Sequence, residues 1–115
     1  MFDFEKLEVY SKAKCFNKSI NQYINNHKLN SFQNDQLKRA AMSIILNIAE
    51  GTGRFTKPDK KNFYIIARGS AFECVAILDY LNDLNLIEEK AFKQYYRYLE
   101  EISKMLYALI KSLEK

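Results

Sequence analysis

Residues 47–55, Asn-Ile-Ala-Glu-Gly-Thr-Gly-Arg-Phe, bring an amide, a carboxylate, two glycines and a guanidinium into one short stretch. A glycine-rich turn beside a cation can cradle a phosphate through its backbone N–H groups. The spacing is wrong for that. A P-loop needs Gly-x-x-x-x-Gly-Lys followed by Ser or Thr, between a strand and a helix; a dinucleotide turn needs Gly-x-Gly-x-x-Gly after a strand. Gly51-Thr52-Gly53 matches neither and follows a helical pattern, so Gly51 reads as a left-handed helix C-cap. Glu50 and Glu73 could in principle form an acid–base pair. A buried carboxylate without a partner is costly, so pairing to Arg39, Arg54 or Arg68 is the expected arrangement. The single histidine, His27, stands at a helix end, where an exposed or capping role is expected. Di-iron bundles need Glu-x-x-His on two helices, which one histidine cannot supply. Cys15 and Cys74 fall within apolar stripes and are expected as small reduced core residues. The chain reads as a non-enzyme, with no cofactor, no metal and no small-molecule substrate implied.

Binding chemistry is better represented. The formal charge is +4, from 18 Lys and Arg against 14 Asp and Glu. Residues 54–68 contain Arg54, Lys57, Lys60, Lys61 and Arg68 against Asp59, a balance of 5 − 1 = +4, while the other 13 basic and 13 acidic residues cancel. At about 100° per residue, Lys57, Lys60, Lys61, Tyr64 and Arg68 fall within about 60° of one direction. Cations around an aromatic ring form a surface that could take a nucleic acid, with Tyr64 stacking on an unpaired base. The candidate nucleic-acid-binding residues are therefore Arg54, Lys57, Lys60, Lys61, Tyr64 and Arg68.

Helices must position these groups. At 115 residues, 48% apolar and 28% charged, the chain is long enough for one domain with a core of its own. Three glycines and one proline imply long elements and few loops. A first helix is expected from about residue 3 to 27, with Val9, Ala13, Phe16, Ile20 and Tyr23/Ile24 at three- and four-residue spacing. A polar connection follows, with Ser31 or Asn34 as the next N-cap. The second helix spans roughly Asp35 to Glu50. The third starts at Thr56-Lys57-Pro58-Asp59 (a capping hydroxyl, a first-turn proline and a carboxylate) and continues to about Leu84. The fourth runs from about Glu88 to Leu113, with Phe92, Tyr95, Leu99, Ile102, Leu106, Leu109 and Leu113 forming a seam. No segment alternates as a strand does. The expected fold is all-α, an antiparallel up-down-up-down four-helix bundle over residues 1–115.

Two helices carry more apolar surface than one core needs. In the second helix Leu37, Ala40, Ala41, Ile44, Ile45 and Ile48 share one arc, and Met42, Leu46 and Ala49 form another. In the third, Phe63, Ile66, Ala67, Ser70, Cys74, Ile77 and Leu81 are assigned to the core, leaving Phe72 and Val75 outside. Met42, Leu46, Ala49, Phe72 and Val75 are accordingly expected at an interface with a second subunit. Between the arcs of the second helix runs a polar stripe with Arg39, Ser43, Asn47 and Glu50. The stripe is expected to lock this helix against Ser70 and Glu73 or a neighbouring subunit, with Asn47 and Glu50 substantially buried.

The pattern Gln36, Arg39-Ala40-Ala41, Ser43-Ile44, Asn47-Ile48-Ala49-Glu50-Gly51, Arg54, Gly69-Ser70 and Glu73 resembles a bacterial family. Its members are four-helix-bundle proteins encoded within intervening sequences of 23S ribosomal RNA genes, often called S23 ribosomal proteins. The accessory protein of diversity-generating retroelements is a more distant likeness. The resemblance covers nearly the whole chain; relatives usually carry a proline in the first connection, and Leu29-Asn30-Ser31-Phe32 has none. It implies a ring-forming bundle, pentameric in characterised relatives, with a basic surface for nucleic acid and no catalysis.

Two functions follow as expectations. One is a homo-oligomer that binds RNA or DNA through the basic face of the third helix. The other is a scaffold that docks a protein partner through an apolar ring surface. The start Met-Phe-Asp-Phe-Glu-Lys lacks the basic and apolar blocks of a signal peptide and no apolar run approaches a membrane span, so a cytoplasmic, non-membrane protein is expected.

Overall fold

A computed structural model describes residues 1–27 and 31–114; the connection through residues 28–30 and the capping role expected of the Ser31 side chain lie outside the described residues. A 3₁₀ turn, Asp3–Lys6, precedes four helices: α1, Glu8–His27; α2, Ser31–Thr52; α3, Lys57–Asp83; and α4, Glu89–Ser112. The first helix therefore does not begin at residue 3. Leu7 is extended (φ −80°, ψ 128°), and this break lets Phe4 turn back onto Tyr10, ring centroids 4.8 Å apart. Asn34, an alternative cap for α2, lies one turn inside that helix. Among the described residues no helix is long and apolar enough to cross a membrane.

Cross-helix bonds establish the antiparallel order. Lys12 meets Glu101, Ser19 meets Tyr95 at 3.1 Å, and His27 meets Glu88 at 3.0 Å, so α1 ascends as α4 descends. Ser43 on α2 meets Ser70 on α3 at 2.7 Å. The Arg68 guanidinium on α3 lies 5.5 Å from the Tyr107 ring on α4. Each helix packs on its neighbours in sequence, and α1 closes onto α4, an up-down-up-down bundle. The α2–α3 contact is the most extensive, and the α1–α4 contact the least of the four.

Helix ends follow local chemistry. Thr56 accepts a hydrogen bond from the Asp59 N–H at 3.3 Å, with Pro58 in the first turn. At the far end of α3, Asn85 takes the left-handed conformation (φ 59°). Leu86 N–H then bonds the Leu81 carbonyl at 2.9 Å and Asn85 N–H bonds the Asn82 carbonyl at 3.1 Å, the two bonds of a Schellman motif.

The core arcs of α2 and α4 are as the periodicity predicts: Leu37, Ala40, Ala41, Ile44 and Ile48 are buried, as are Tyr95, Leu99, Ile102 and Leu106. That of α3 is not. Its inward residues are Tyr64, Ala67, Ser70, Ala71, Cys74, Leu78 and Leu81, an arc rotated roughly 50° from the expected one. Ile66, assigned to the core, is 43% exposed. Cys15 is also exposed, on the outer side of α1, whereas Cys74 is buried.

The rotation has a local cause at Gly51. Gly51 lies inside α2 without a positive φ, so it is not the left-handed C-cap expected of it. A Cβ built there would stand 2.6 Å from Tyr64 Cε1 and 3.0 Å from Cδ1. The missing side chain makes room for the Tyr64 ring, which turns α3 onto α2.

Candidate nucleic-acid interface

The basic residues gather where α2 gives way to α3. Gly53 N–H bonds the Glu50 carbonyl at 3.1 Å and Arg54 N–H bonds the Gly51 carbonyl at 3.3 Å, tightening the last turn of α2. Lys60 Nζ donates to the Thr52 carbonyl at 2.9 Å, a cation satisfying an orphan carbonyl at the negative end of a helix. Lys61 pairs with Glu114 at 2.8 Å. Hydrogen bonds from Lys61 and then Lys111 hold the Glu114 carboxyl below the usual carboxylate range. Arg54 bonds Glu50 at 3.2 Å and covers the Phe63 ring at 4.4 Å. Lys57 stands exposed in the first turn of α3. Arg68 sits away from these groups on the α3–α4 face, its guanidinium 4.6 Å from the Phe72 ring and 5.5 Å from that of Tyr107.

Tyr64 does not belong to this surface. It is 5% exposed, within the core, and burial pushes its phenol above the usual range. A ring seated over Gly51 cannot stack on a base. Phe55, between Arg54 and Lys57 in the turn, is fully exposed at 101%. It is the exposed aromatic of this surface, and its sequence signal was its place between two cations in a short loop after Gly51-Thr52-Gly53.

The polar stripe is partly assembled. Asn47 Nδ2 donates to the Ser43 carbonyl at 2.8 Å and to Ser43 Oγ at 3.0 Å. Ser43 Oγ meets Ser70 Oγ at 2.7 Å, and Ser70 Oγ donates to the Ile66 carbonyl at 3.2 Å. The hydroxyls can then align in one direction, from the Asn47 amide through both serines to the carbonyl, each bond polarising the next. Glu50 lies outside this chain. It was expected to be buried, but its side chain is 58% exposed and paired with Arg54. An ionised carboxylate keeps its hydration on that outer face. Arg39 and Glu73 are exposed.

The proposed interface residues divide by exposure. Met42, Leu46 and Phe72 are exposed, whereas Ala49 and Val75 are half-buried. His27 is exposed at the C-terminus of α1, with Nδ1 2.9 Å from the Tyr23 carbonyl. Among the described residues no group of histidine, cysteine or carboxylate side chains could hold a metal ion. Cys74 is pushed up to about 12, first by burial and then by the Glu73 charge, which leaves it a thiol.

The model of the 23S rRNA-intervening sequence protein family matches residues 5–108. The chain belongs to this family. Among solved structures, a family member fits with a TM-score of 0.82 and 27% identity, over 90% of this chain and 95% of that one. That protein, from Bacteroides thetaiotaomicron, is described as one of unknown function in the S23 ribosomal protein family. No curated protein gives a significant match. Family membership accounts for the bundle; the local chemistry of the α2–α3 turn is what carries a functional reading.

Proposed function

We propose that this family member is a non-catalytic homo-oligomer that binds RNA or DNA at the α2–α3 turn. The observation that carries the reading is Phe55, fully exposed between Arg54 and Lys57. The ring offers a stacking face, and a nucleobase beside two phosphate-seeking cations fits its surroundings. Arg54, Lys57, Lys60 and Lys61 recur with every subunit, partly offset by Glu50 and Glu114, so assembly multiplies the attraction for a polyanion. Lys60 and Lys61 lend potential to this surface while holding the Thr52 carbonyl and Glu114.

Filter binding of a mixed pool of single-stranded RNA and DNA, at low and physiological salt, tests the proposal. Wild type should bind steeply better at low salt. Phe55→Ala should lose about 1–3 kcal/mol of affinity, the worth of one base stack. Lys57→Glu should weaken binding and flatten its salt dependence. Equal binding by all three proteins, or none by wild type at low salt, refutes it. The second reading, a scaffold docking a protein partner, is favoured by the apolar groove between α3 and α4 and calls for binding indifferent to salt.

A further inference from the structure

The seam between α1 and α4 carries a concavity of about 660 Å³, lined by Lys90, Lys93 and Arg97 from α4 and by Lys12 from α1. The charge count along the chain hides this cluster. Lys12 and Arg97 are 97 − 12 = 85 residues apart, and only the closing of α1 onto α4 brings them to one place. Glu101 is the single carboxylate among the described lining residues, and Lys12 already holds it. That hydrogen bond raises the Lys12 ammonium above the ordinary lysine range. Glu89 holds Lys93 at 3.1 Å. Four cations against these two carboxylates leave 4 − 2 = +2, and Glu8 beside Lys12 is balanced by Lys104 beside Glu101. Among the described residues neither Lys90 nor Arg97 makes an ion pair.

Lys90, Lys93 and Arg97 follow one another at three- and four-residue steps, so they share a face of α4 over about 10 Å. Like charges at that spacing repel, and an arriving anion relieves the repulsion. This surface differs from the α2–α3 turn in what it offers a base. Its ring, Tyr98, is half-buried with the Lys12 ammonium over it, 5.6 Å from the centroid, so it is not free to stack as Phe55 is. A row of cations without a free ring takes phosphate oxygens and carries no information about sequence. The two surfaces also lie apart, because α1 and α4 meet across the bundle from the α2–α3 seam.

We infer that this concavity is a second nucleic-acid contact, in which Lys12, Lys90, Lys93 and Arg97 hold backbone phosphates whatever the bases. The inference rests on the nucleic-acid part of the proposal above, while its place in the fold is independent of the turn. Each phosphate neutralised releases counterions, so each such cation adds about 0.7 to the slope of log K against log salt on a single strand.

Filter binding of single-stranded oligonucleotides of two base compositions to the full chain, at about 50 and 200 mM salt, tests it. Lys90→Gln/Arg97→Gln removes two exposed cations that make no ion pair. Lys14→Gln/Lys18→Gln removes the same charge from exposed positions on the other side of α1 from Lys12. Unchanged helical circular dichroism with a cooperative melt verifies folding. The first pair should lower the salt slope by about 1.4, so its deficit against wild type shrinks about sevenfold between the two salts, equally for both base compositions. The second pair should bind nearly as wild type does. Equal losses in both pairs, or a loss confined to one base composition, overturn the contact. If Phe55→Ala and Lys57→Glu weaken binding while Lys90→Gln/Arg97→Gln does not, the turn stands and this contact falls. If the reverse holds, this contact stands and the turn falls. No binding by wild type at low salt overturns both.

Discussion

Gly51 and Gly69 both lie inside helices, and the same substitution should move stability in opposite directions at the two. In a helix interior, Gly→Ala gains about 1 kcal/mol because alanine loses less backbone entropy on folding. At Gly69 nothing lies within 4 Å of an added Cβ, so Gly69→Ala should stabilise by about 0.5–1 kcal/mol. At Gly51 the Cβ would stand 2.6, 3.0 and 3.2 Å from Cε1, Cδ1 and Cζ of Tyr64. The first separation is far inside van der Waals contact. The ring is rigid and 5% exposed, so relief means shifting α3 or leaving a preferred rotamer. Overpacking of this kind costs typically about 1–3 kcal/mol, and Gly51 is only one residue from the end of α2, where the propensity gain is smaller. The steric cost wins. Gly51→Ala should destabilise by about 1–2 kcal/mol, a fall in Tm of about 4–8 °C. Urea unfolding followed at 222 nm, at one fixed protein concentration so that assembly does not intrude, compares the two variants with wild type. If Gly51→Ala stabilises as much as Gly69→Ala, the Tyr64 ring does not occupy the place of that side chain.

Three further outcomes follow from the same packing. A thiol reagent should modify Cys15 rapidly in the native protein and Cys74 only on unfolding, giving one fast equivalent and a second released by denaturant. Ser70→Ala removes the bridge from Ser43 to the Ile66 carbonyl and should cost on the order of 1 kcal/mol by chemical denaturation. The Lys12 hydrogen bond, then its charge, holds the Glu101 carboxyl below its ordinary range. A depressed carboxylate contributes stability above its unfolded pKa and loses it as pH falls through the folded one. Glu101→Gln should therefore flatten part of the acid limb of a stability–pH curve, leave the slope near neutrality unchanged, and remove the alkaline loss that goes with the raised Lys12 ammonium.

The core faces of α2 and α4 were legible in the sequence, and that of α3, with two flanks of comparable hydrophobicity, was not. α4 alternates three- and four-residue steps with charged residues between them, so a single rotation buries its seam. α3 offers Phe63, Ile66 and Ile77 on one flank and Tyr64, Ala71 and Leu78 on the other. Hydrophobicity alone ranks the first flank at least as high. The choice depends on the absent side chain at Gly51 of another helix, a complementarity of shape that no single-helix pattern contains. The same rotation removed Tyr64 from the candidate site and left Phe55 as its exposed ring. The Thr56 cap and Pro58 were readable because their partners lie within three residues in the chain.

The two long seams of the bundle differ in what water does to them. Between α1 and α4 run Lys12 to Glu101, Ser19 to Tyr95, the Tyr23 hydroxyl to the Glu88 N–H, and His27 to Glu88. Most of these groups are at least partly exposed, and solvent can replace each bond as it parts. The α2–α3 seam has small buried residues in close approach, among them Ala40, Ala41, Ala67 and Ala71, and water offers them nothing in exchange. The bundle should therefore open at α1 before it comes apart as a whole. In hydrogen exchange the α1 amides should leave protection at a lower free energy than those of α2 and α3, and guanidinium, which also screens charge, should widen that gap relative to urea. The hairpin carrying the exposed turn is then the last part of the molecule to lose its shape.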